Sequence, residues 1–439
     1  MPTPSRRELL RATLPVMAVA ASAPAWASAR HETSLQRCVV TDFGARGDGR
    51  TPCAVPFQQA IDTMEAAGGG TVDVPAGTYL LERTPLIGSR VHLRGAGAGT
   101  ILRGARTGGH QGAALISNKG QQAAGYEGAH DWSISHLPID SPDTNGIVVT
   151  HARRVYLAFI HGIDVHHHFV DIAGREVLCE HLLLTGRSGT STFQIDSLHG
   201  AQTIWDGERA VSPRLDGTEA RDVILRSSII TATAGRRGSR PRHDVSIHFH
   251  GSESGSMVFS DLILGGATTG FYQDGDTRYD DLLIDNVRSS NPGHAVLLNP
   301  GRDDQRDIMI RGLIHAPERP VDDETPYRGL AIHGRDGVIL DALHLRGDHY
   351  ASTDYAVKVA ATSHATLSHI LASGNAGRGF VLQPSRDEAG GPILVQGCQL
   401  RGFDIGCDVL AEGDHPAFIH GNLFTNVTTH YRGPVRRPD

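Results

Sequence analysis

A six-residue hydrophobic pattern recurs along most of this 439-residue chain. Typical copies are LLIDNV from Leu282 and VILDAL from Val338. Most copies begin 22 to 33 residues apart, and their first residues are Val155, Val177, Ile224, Met257, Leu282, Ile308, Val338, Ala365, Ile393 and Phe418. Self-similarity at this period predicts a solenoid, in which each repeat packs on its neighbours. The longer gap of 47 residues between Val177 and Ile224 predicts two coils.

Each repeat contains a second strand-like segment, bounded by turns rich in glycine, asparagine and aspartate. Examples are IHFH from Ile247 and FVLQ from Phe380. The segments between the strands lack helical spacing, which argues against alternating strands and helices. Coils of this length predict an all-β, single-stranded parallel β-helix. The 52 glycines and the 5% aromatic content suit narrow coils filled by aliphatic side chains.

One amphipathic segment precedes the repeats. In CAVPFQQAIDTMEAA (53–67) the apolar residues share one helical face, and they are Val55, Phe57, Ala60, Ile61 and Met64. The glycines at 68–70 predict the end of this helix. An N-terminal capping helix would cover the first coil, whose strand edges are otherwise unpaired.

Three segments near this helix carry a family resemblance. They are VTDFGARGDG (40–49), GGGTVDVPAGTYLL (68–81) and LRGAGAGTIL (93–102). Together they resemble the start of the pectate-lyase superfamily, in its rhamnogalacturonase/epimerase-like branch. The resemblance implies a right-handed parallel β-helix that acts on a polysaccharide by hydrolysis or by β-elimination.

A further segment is similar to glycoside hydrolase family 28, the polygalacturonases. SPDTNGI (141–147) resembles their SPNTDGI motif, but Asn145 stands where that family has a catalytic aspartate. One coil later the chain has His166, His167 and His168 in place of an aspartate pair. These histidines are interpreted as a turn cluster rather than a ligand set. The inverting polygalacturonase machinery is therefore not carried over.

The N-terminus resembles an export signal. Arg6 and Arg7 precede a short apolar stretch and the sequence ASA at 27–29, as in twin-arginine signals, with an ordinary secretory signal as the alternative. We expect residues 1–29 to be removed and the protein to be exported to the periplasm or the extracellular space. The apolar stretch is too short to span a bilayer, so no membrane insertion is expected.

The predicted organisation has three parts. Residues 1–29 are the export signal, 30–105 are the N-terminal cap and first coils, and 106–439 are the parallel β-helix, with an inserted loop region at about 185–222. Removing residues 1–29, which carry three arginines and one glutamate, moves the formal net charge from −7 to −9. This balance argues against nucleic acid as a partner.

The five cysteines are too few and too scattered to form a disulfide framework. Cys38–Cys53 and Cys398–Cys407 are conceivable local bridges in an oxidising compartment, with Cys407 alternatively a buried apolar residue. The pairing stays open, and so does the oligomeric state, for which a monomer and a homotrimer are both considered.

Polar side chains of catalytic type concentrate on three neighbouring coils. The second strands can be aligned on inward apolar residues, taken as Ile147, Phe169, Phe193, Ile247, Phe271, Ala295, Leu330, Ala356 and Phe380. Residues one and three places later then point outward. These outward positions bring together, on adjacent strands, Gln194, Asp196, His248, His250, Tyr272 and Asp274. A register error of one residue would substitute Asp171 or Gln273 for a neighbour.

Other residues extend this candidate groove. In the inserted loop region, Trp205 could stack on a sugar and Asp216 could bind one. Arg242 belongs to a basic run that could hold an anionic polymer, although a solvated turn is equally consistent. Asp276 and His333 complete the set of candidate substrate-binding residues.

Two catalytic mechanisms remain open. Hydrolysis needs two carboxyl groups, which Asp196 and Asp274 could supply. For β-elimination from a uronate, His248 or His250 could remove the proton, Tyr272 could donate one, and an arginine could neutralise the carboxylate. Hydrolysis is placed slightly ahead because lyases of this kind usually show more lysine and arginine on the groove.

Three alternatives stand beside these mechanisms. The chain could be a non-catalytic carbohydrate-binding β-helix, or an epimerase that shares the proton abstraction of the lyase. His248, His250 and Asp274 could bind a metal by type, but two histidines at i and i+2 are a weak signal. We therefore expect no metal and no required cofactor, with calcium possible if the protein is a lyase.

Overall fold

The structure is a computed structural model. It describes residues 36–105, 113–198, 204–206, 208–233, 244–251, 253–274, 277–298, 306–317, 324–333, 336–384, 391–410 and 417–436. The expected export signal at 1–29 lies outside these residues. Within them, no helix is long and apolar enough to cross a membrane.

The elements are almost all strands. A 3-10 turn spans Val40–Phe43 and one α-helix, α1, spans Ala54–Ala66. The strands in chain order are β1 Arg37–Val39, β2 Asp48–Pro52, β3 Gly70–Val74, β4 Gly77–Leu81, β5 Leu86–Ile87, β6 Val91–Gly95, β7 Thr100–Gly104, β8 Ala114–Asn118, β9 His130–Ser141, β10 Asn145–Val165, β11 Val170–Glu180, β12 Leu183–Arg187, β13 Phe193–Ile195, β14 Ile204–Trp205, β15 Ala210–Val211, β16 Ala220–Ile230, β17 Val245–Phe249, β18 Glu253–Leu264, β19 Thr269–Gln273, β20 Arg278–Ser289, β21 Val296–Leu298, β22 Arg306–Arg311, β23 Ile314–His315, β24 Tyr327–His333, β25 Asp336–Asp341, β26 His344–Arg346, β27 Thr353–Ser368, β28 Leu371–Ser373, β29 Arg378–Pro384, β30 Ile393–Gln396, β31 Gln399–Arg401, β32 Ile405–Val409, β33 Ala417–His420, β34 Leu423–Thr425, β35 Thr429–Arg432 and β36 Val435–Arg436.

The strands stack into three parallel sheets, and several long strands bend at a corner and belong to more than one sheet. Sheet A contains β5, β8, the first parts of β10, β11 and β27, and β13, β17, β19, β21, β24, β29, β32 and β35. Sheet B begins with β1, β3 and β6 and continues through the middle of β10 to β36. Sheet C begins with β2, β4 and β7 and ends at β34. The predicted parallel β-helix is confirmed, with about 13 turns.

The core consists of inward rows of apolar side chains. In sheet A, Phe193, Ile247 and Phe271 pair in register and are fully buried. Phe259 of sheet B packs edge-on against Phe249 and against Phe271, with ring centroids 5.5 Å apart in each case. Edge-to-face packing of this kind adds to the stabilisation from burial. These aromatic rings form a rigid support directly beneath the middle strands of sheet A.

The capping helix ends as the sequence predicts but buries a narrower face. Phe57, Ala60, Ile61 and Met64 are buried against the first coils, whereas Val55 is 41% exposed. Assigning Val55 to the buried face was therefore wrong, because the helix contacts the coils along only one side. The helix stops at Ala66, and Gly68 and Gly69 follow with left-handed backbone angles.

Two expectations about the repeat need correction. The 47-residue gap holds one coil rather than two, because β11 pairs directly with β16 and the extra residues leave and re-enter the same coil. Two copies of the pattern also start one residue late. Val223 and Ala417 occupy the inward positions, while Ile224 points outward and is 38% exposed.

The cysteines form no disulfide, and all five lie within the described residues. Cys179, Cys398 and Cys407 are buried, and burial raises the pKa of the Cys398 thiol to about 11. Neither conceivable bridge, Cys38–Cys53 or Cys398–Cys407, is present. The buried thiols act as small apolar residues of the core.

Candidate functional site

The candidate residues lie on three adjacent strands of sheet A. His248 is the register partner of Gln194 on one side and of Tyr272 on the other. Asp196, His250 and Asp274 follow these strands, and backbone hydrogen bonds hold them side by side: His250 N donates to Ile195 O and Asp274 N donates to Phe249 O. The structure therefore brings together Gln194, Asp196, His248, His250, Tyr272 and Asp274, hereafter the polar strip.

The first contact in the polar strip joins His250 to a buried carboxylate. His250 Nδ1 lies 3.2 Å from Asp196 Oδ1. The same carboxylate accepts hydrogen bonds from Ser197 N at 2.7 Å and, through Oδ2, from Gln194 Nε2 at 2.9 Å. Because these donors compensate its burial, Asp196 can stay ionised.

The second contact joins His248 to Asp274. His248 Nε2 lies 3.2 Å from Asp274 Oδ2, and His250 Nε2 lies 3.8 Å from the same oxygen. The ring of Tyr272 lies 5.4 Å from the ring of His248, centroid to centroid. Two histidines, two carboxylates and a phenol thus share one small surface.

Exposure separates this set into two groups. The side chains of Asp196 and His248 are only 5% and 6% exposed, and Gln194 is also buried. His250 is 45% exposed and Asp274 is 32% exposed, and Tyr272 is half-buried. The exposed group can contact a ligand, and the buried group supports it from below.

Neighbouring carboxylates raise the pKa of His250. Its hydrogen bond to Asp196, together with the charges of Asp196, Asp274 and Asp171, raises the pKa of His250 to about 9. Burial opposes ionisation of Asp196, but the hydrogen bond and charge of His250 prevail and lower the pKa of that carboxyl. At neutral pH the pair is therefore an imidazolium beside a carboxylate.

Register errors in the sequence alignment of sheet A affect three coils. Val170, Val296 and Val357 pair with the inward row, so the choices of Phe169, Ala295 and Ala356 were each one residue early. All three correct residues are preceded by another buried residue, so apolarity alone does not identify which one faces inward. One consequence is that Asp171 points outward beside Gln194.

Residues that sequence reasoning left out of the site also support it. Ser191 Oγ donates to Gln194 Oε1 at 3.1 Å and lies 2.9 Å from His168 Nδ1. Desolvation lowers the pKa of His168 to about 3. His168 thus belongs to the predicted turn cluster and also reaches the strip through Ser191. No local motif marked this link, which depends on coil stacking.

Gly251 is a further residue that the sequence did not single out. It directly follows His250 with φ +98°, a conformation that L side chains rarely adopt. A Cβ here would collide with Ser197 and would lie 3.0 Å from Asp196 Oδ1. Glycine therefore allows the chain to turn directly after His250 while the backbone stays close to Asp196.

The remaining predicted residues lie elsewhere or outside the described residues. Trp205 exchanges hydrogen bonds with Thr84, four strands away from Asp196 in sheet A, or about 19 Å. Asp216 accepts from Gly125 N at 3.2 Å and from Thr218 N at 3.1 Å. His333 is half-buried, two strands beyond Asp274. Arg242 and Asp276 lie outside the described residues.

The described residues contain no group of three histidine, cysteine, aspartate or glutamate side chains arranged to hold a metal ion. The calcium dependence considered for a lyase stays a prediction.

The sequence matches a known family over its N-terminal part. Residues 38–164 match the family described as "Rhamnogalacturonase A/epimerase, pectate lyase-like". The resemblance to this family is confirmed. The match includes α1 and the first coils and ends before the polar strip, so the strip itself is not part of the matched segment.

Curated relatives act on polysaccharides according to their names. The chain is 36% identical over 120 residues to alginate lyase 7 of Azotobacter vinelandii, covering 24% of this chain and 13% of that protein. It is 46% identical over 72 residues to mannuronan C5-epimerase AlgE1 of the same organism, covering 15% of this chain and 5% of that protein. The chain thus matches only a small part of each relative.

Solved structures share the fold over nearly the whole chain. The adhesin PfbA of Streptococcus pneumoniae has a TM-score of 0.58 at 16% identity, covering 90% of this chain and 93% of that one. The A-module of mannuronan C-5 epimerase AlgE4 of Azotobacter vinelandii has a TM-score of 0.51 at 15% identity, covering 92% and 100%. At these identities the likeness concerns the fold alone.

Proposed function

We propose that this protein is a polyuronate lyase that cleaves an alginate-type polymer by β-elimination at the polar strip. The observation that carries the proposal is the pairing of His250 with buried Asp196, which raises the pKa of His250 to about 9. A half-exposed imidazolium is suited to neutralise the carboxylate of a uronic acid, which makes the adjacent proton more acidic. The partial identity to an alginate lyase agrees with this chemistry.

The exposed groups Asp274 and Tyr272 would carry the two proton transfers, with buried His248 supporting Asp274 from below. The Asp274 carboxylate accepts the proton from C5, and the C5–H electron pair becomes the C4=C5 double bond. The C4–O4 bond breaks, and the Tyr272 hydroxyl donates its proton to the departing oxygen. Solvent exchange then returns the protein to its starting protonation state, and no oxidant or reductant is needed.

Hydrolysis, placed slightly ahead on sequence, is supported less well by the geometry. An inverting or retaining glycosidase needs one carboxyl group that is protonated near neutral pH. The pKa of Asp196 is instead lowered, after its burial is outweighed by His250, Ser197 and Gln194. The other carboxyl group of the strip, Asp274, is also paired with histidine, since its Oδ2 lies 3.2 Å from His248 Nε2 and 3.8 Å from His250 Nε2.

Epimerisation at C5 is the second candidate. It shares the first proton abstraction and requires a proton to be returned to the opposite face of the sugar without cleavage. The 46% identity to a mannuronan C5-epimerase over 72 residues favours keeping it in the test.

The deciding experiment is a panel of polymannuronate, polyguluronate and polygalacturonate. A lyase releases reducing ends together with ultraviolet absorbance of the unsaturated uronate. Reducing ends without absorbance would instead establish hydrolysis. A change in proton NMR composition without chain cleavage would establish epimerisation, and binding without any product would establish a carbohydrate-binding protein.

Export and assembly are separate proposals. We propose that residues 1–29 direct the protein to the periplasm or the extracellular space, where it would encounter a polysaccharide. N-terminal sequencing of the protein from the periplasm and medium tests the cleavage site, and light scattering distinguishes the monomer from the homotrimer.

A further inference from the structure

The outer face of sheet A is buried on one side of the polar strip. On the strands before Asp196, the outward positions are at most 2% exposed: they are Ser117, Val148, Thr150, Asp171 and Ala173. Outward-facing positions of a solenoid normally contact solvent. Some other part of the chain must therefore cover this end of the sheet.

Two segments form this cover. The first is the loop 119–128 between β8 and β9. The second comprises the described parts of the insertion after β13, residues 204–206 and 208–219. Arg214 N donates to Gln121 O at 2.7 Å, and Gln122 Nε2 donates to Ser212 O at 3.0 Å. Gln121 Nε2 in turn donates to Ser117 Oγ on the sheet at 2.9 Å. We name these two segments the cover.

Buried polar contacts fix the cover in place. Both ring nitrogens of buried His151 face main-chain carbonyl oxygens, Gly125 O at 2.8 Å and Arg214 O at 3.0 Å. Asp216 joins the two segments by accepting from Gly125 N and Thr218 N. The Tyr126 hydroxyl donates to Glu219 O at 3.0 Å. These hydrogen bonds connect both segments to each other and to the sheet, so the cover is docked on sheet A as part of the fold.

The cover begins at the polar strip itself. Ala220 N donates to Asp196 O at 3.0 Å, and Leu198 N donates to Thr218 O at 2.8 Å. The insertion therefore leaves and re-enters the coil at Asp196, one strand from His250. On the other side of the strip, among the described residues, the outward side chains Leu297, His333 and Lys358 are partly exposed, whereas the outward residues Ala331 and Val381 are buried in a small cluster with Tyr355 and Leu297.

We propose that the cover closes one end of the substrate groove, so that the enzyme acts on the end of a polyuronate chain rather than within it. This inference rests on the proposed function. A polymer lying along sheet A can extend past Leu297 and Lys358 but meets the cover beyond Asp196. The terminal sugars then occupy the polar strip, and the products are short oligosaccharides of uniform size.

The test is the product profile on polymannuronate. The wild-type protein should release one short product size from the earliest time point, with little loss of viscosity per bond cleaved. Blocking one of the two chain ends chemically should reduce the rate at least about tenfold. Early products of many lengths, or equal rates on polymers blocked at either end, would overturn the proposal.

A matched pair of variants sharpens this test. Asp216→Ala removes the carboxylate that joins the two segments and should raise the viscosity loss per bond cleaved several-fold. Asp206→Ala removes a carboxylate that contacts the nearby Glu208 backbone and the Arg209 backbone and guanidinium in the same insertion, and should leave the profile unchanged. Melting temperatures of both variants identify any general loss of folding.

Absence of activity would count against the proposed function and would move the test to binding. Tetramannuronate carrying a bulky label at one end or at the other then serves as the probe. A closed groove requires that one label position weaken binding at least about tenfold. Equal affinity for both labelled forms would overturn the closed end.

Discussion

Two histidine–aspartate pairs on this solenoid have similar contacts but different surroundings. His250 Nδ1 lies 3.2 Å from Asp196 in the polar strip, and His369 Nδ1 lies 2.8 Å from Asp341 at the corner between sheets B and C. Both carboxylates accept further hydrogen bonds, but Asp196 is 5% exposed, whereas Asp341 is 40% exposed and His369 is 71% exposed. Burial, rather than the shorter distance, distinguishes the pair suited to catalysis.

The largest expected difference between the two pairs is the loss of activity when the imidazole of each is removed in turn. His250→Ala should lower activity on the cleaved polyuronate by about 100-fold or more, because it removes the charge proposed to neutralise the uronate carboxylate. His369→Ala, the matched control, should change activity less than about twofold. Initial rates of absorbance increase measure both. Near-normal rates for His250→Ala would contradict the proposed role of the strip.

The next test alters the carboxylate and leaves the histidine in place. Asp196→Asn should lower activity by about tenfold and should move the alkaline limb of the pH–rate profile from about 9 toward 6.5, because a neutral amide no longer stabilises the imidazolium. Asp341→Asn should leave the limb unmoved. The shift separates a role in setting the charge of His250 from simple loss of folding, since misfolding lowers the rate at every pH.

A third, smaller effect concerns the turn after His250. Gly251→Ala should reduce activity by several-fold, since the added Cβ collides with Ser197 and is strained at φ +98°. Gly44→Ala is a suitable control, because Gly44 also has a positive φ, +95°, but nothing lies within 4 Å of its added Cβ. The ratio of the two variants' rates at equal folded fraction tests whether the close approach to Asp196 matters beyond backbone strain. Equal losses would contradict that role.

The sequence predicted the architecture because each coil of a solenoid buries side chains in the same pattern. Every coil must bury the same few inward positions, so aliphatic residues recur at a fixed period and reveal the stack. The same redundancy predicted which three strands carry Gln194, His248 and Tyr272. Each of these three strands carries a large apolar residue, Phe193, Ile247 or Phe271, that is fully buried and clearly points inward.

The sequence failed where two neighbouring residues are both buried for different reasons. Phe169 fills space beside Gly162 at a corner, where any side chain on that glycine would collide with the phenylalanine ring, while Val170 occupies the inward row of the strand. Apolarity does not distinguish a corner from a strand. The cover escaped prediction for a related reason, because an insertion's docking partners lie on distant coils. The structure adds the hydrogen bonds of Trp205 to Thr84 and of Asp216 to Gly125, and sugar binding by these two residues stays a prediction.

The smallest expected effect is on stability, and its direction follows from the pKa of His250. A folded-state pKa of about 9 exceeds the unfolded value of about 6.5, so the folded protein binds more protons between these values. The stabilisation is fully present below pH 6.5 and is lost as the pH rises through about 9. Because His250 is 45% exposed, solvent screening limits it to about 1 kcal/mol. Urea unfolding at pH 6 and pH 10 should show this difference in the free energy of unfolding for the wild-type protein and for His369→Gln. The difference should be absent from His250→Gln. An equal pH dependence in all three proteins would mean that Asp196 does not hold His250 protonated.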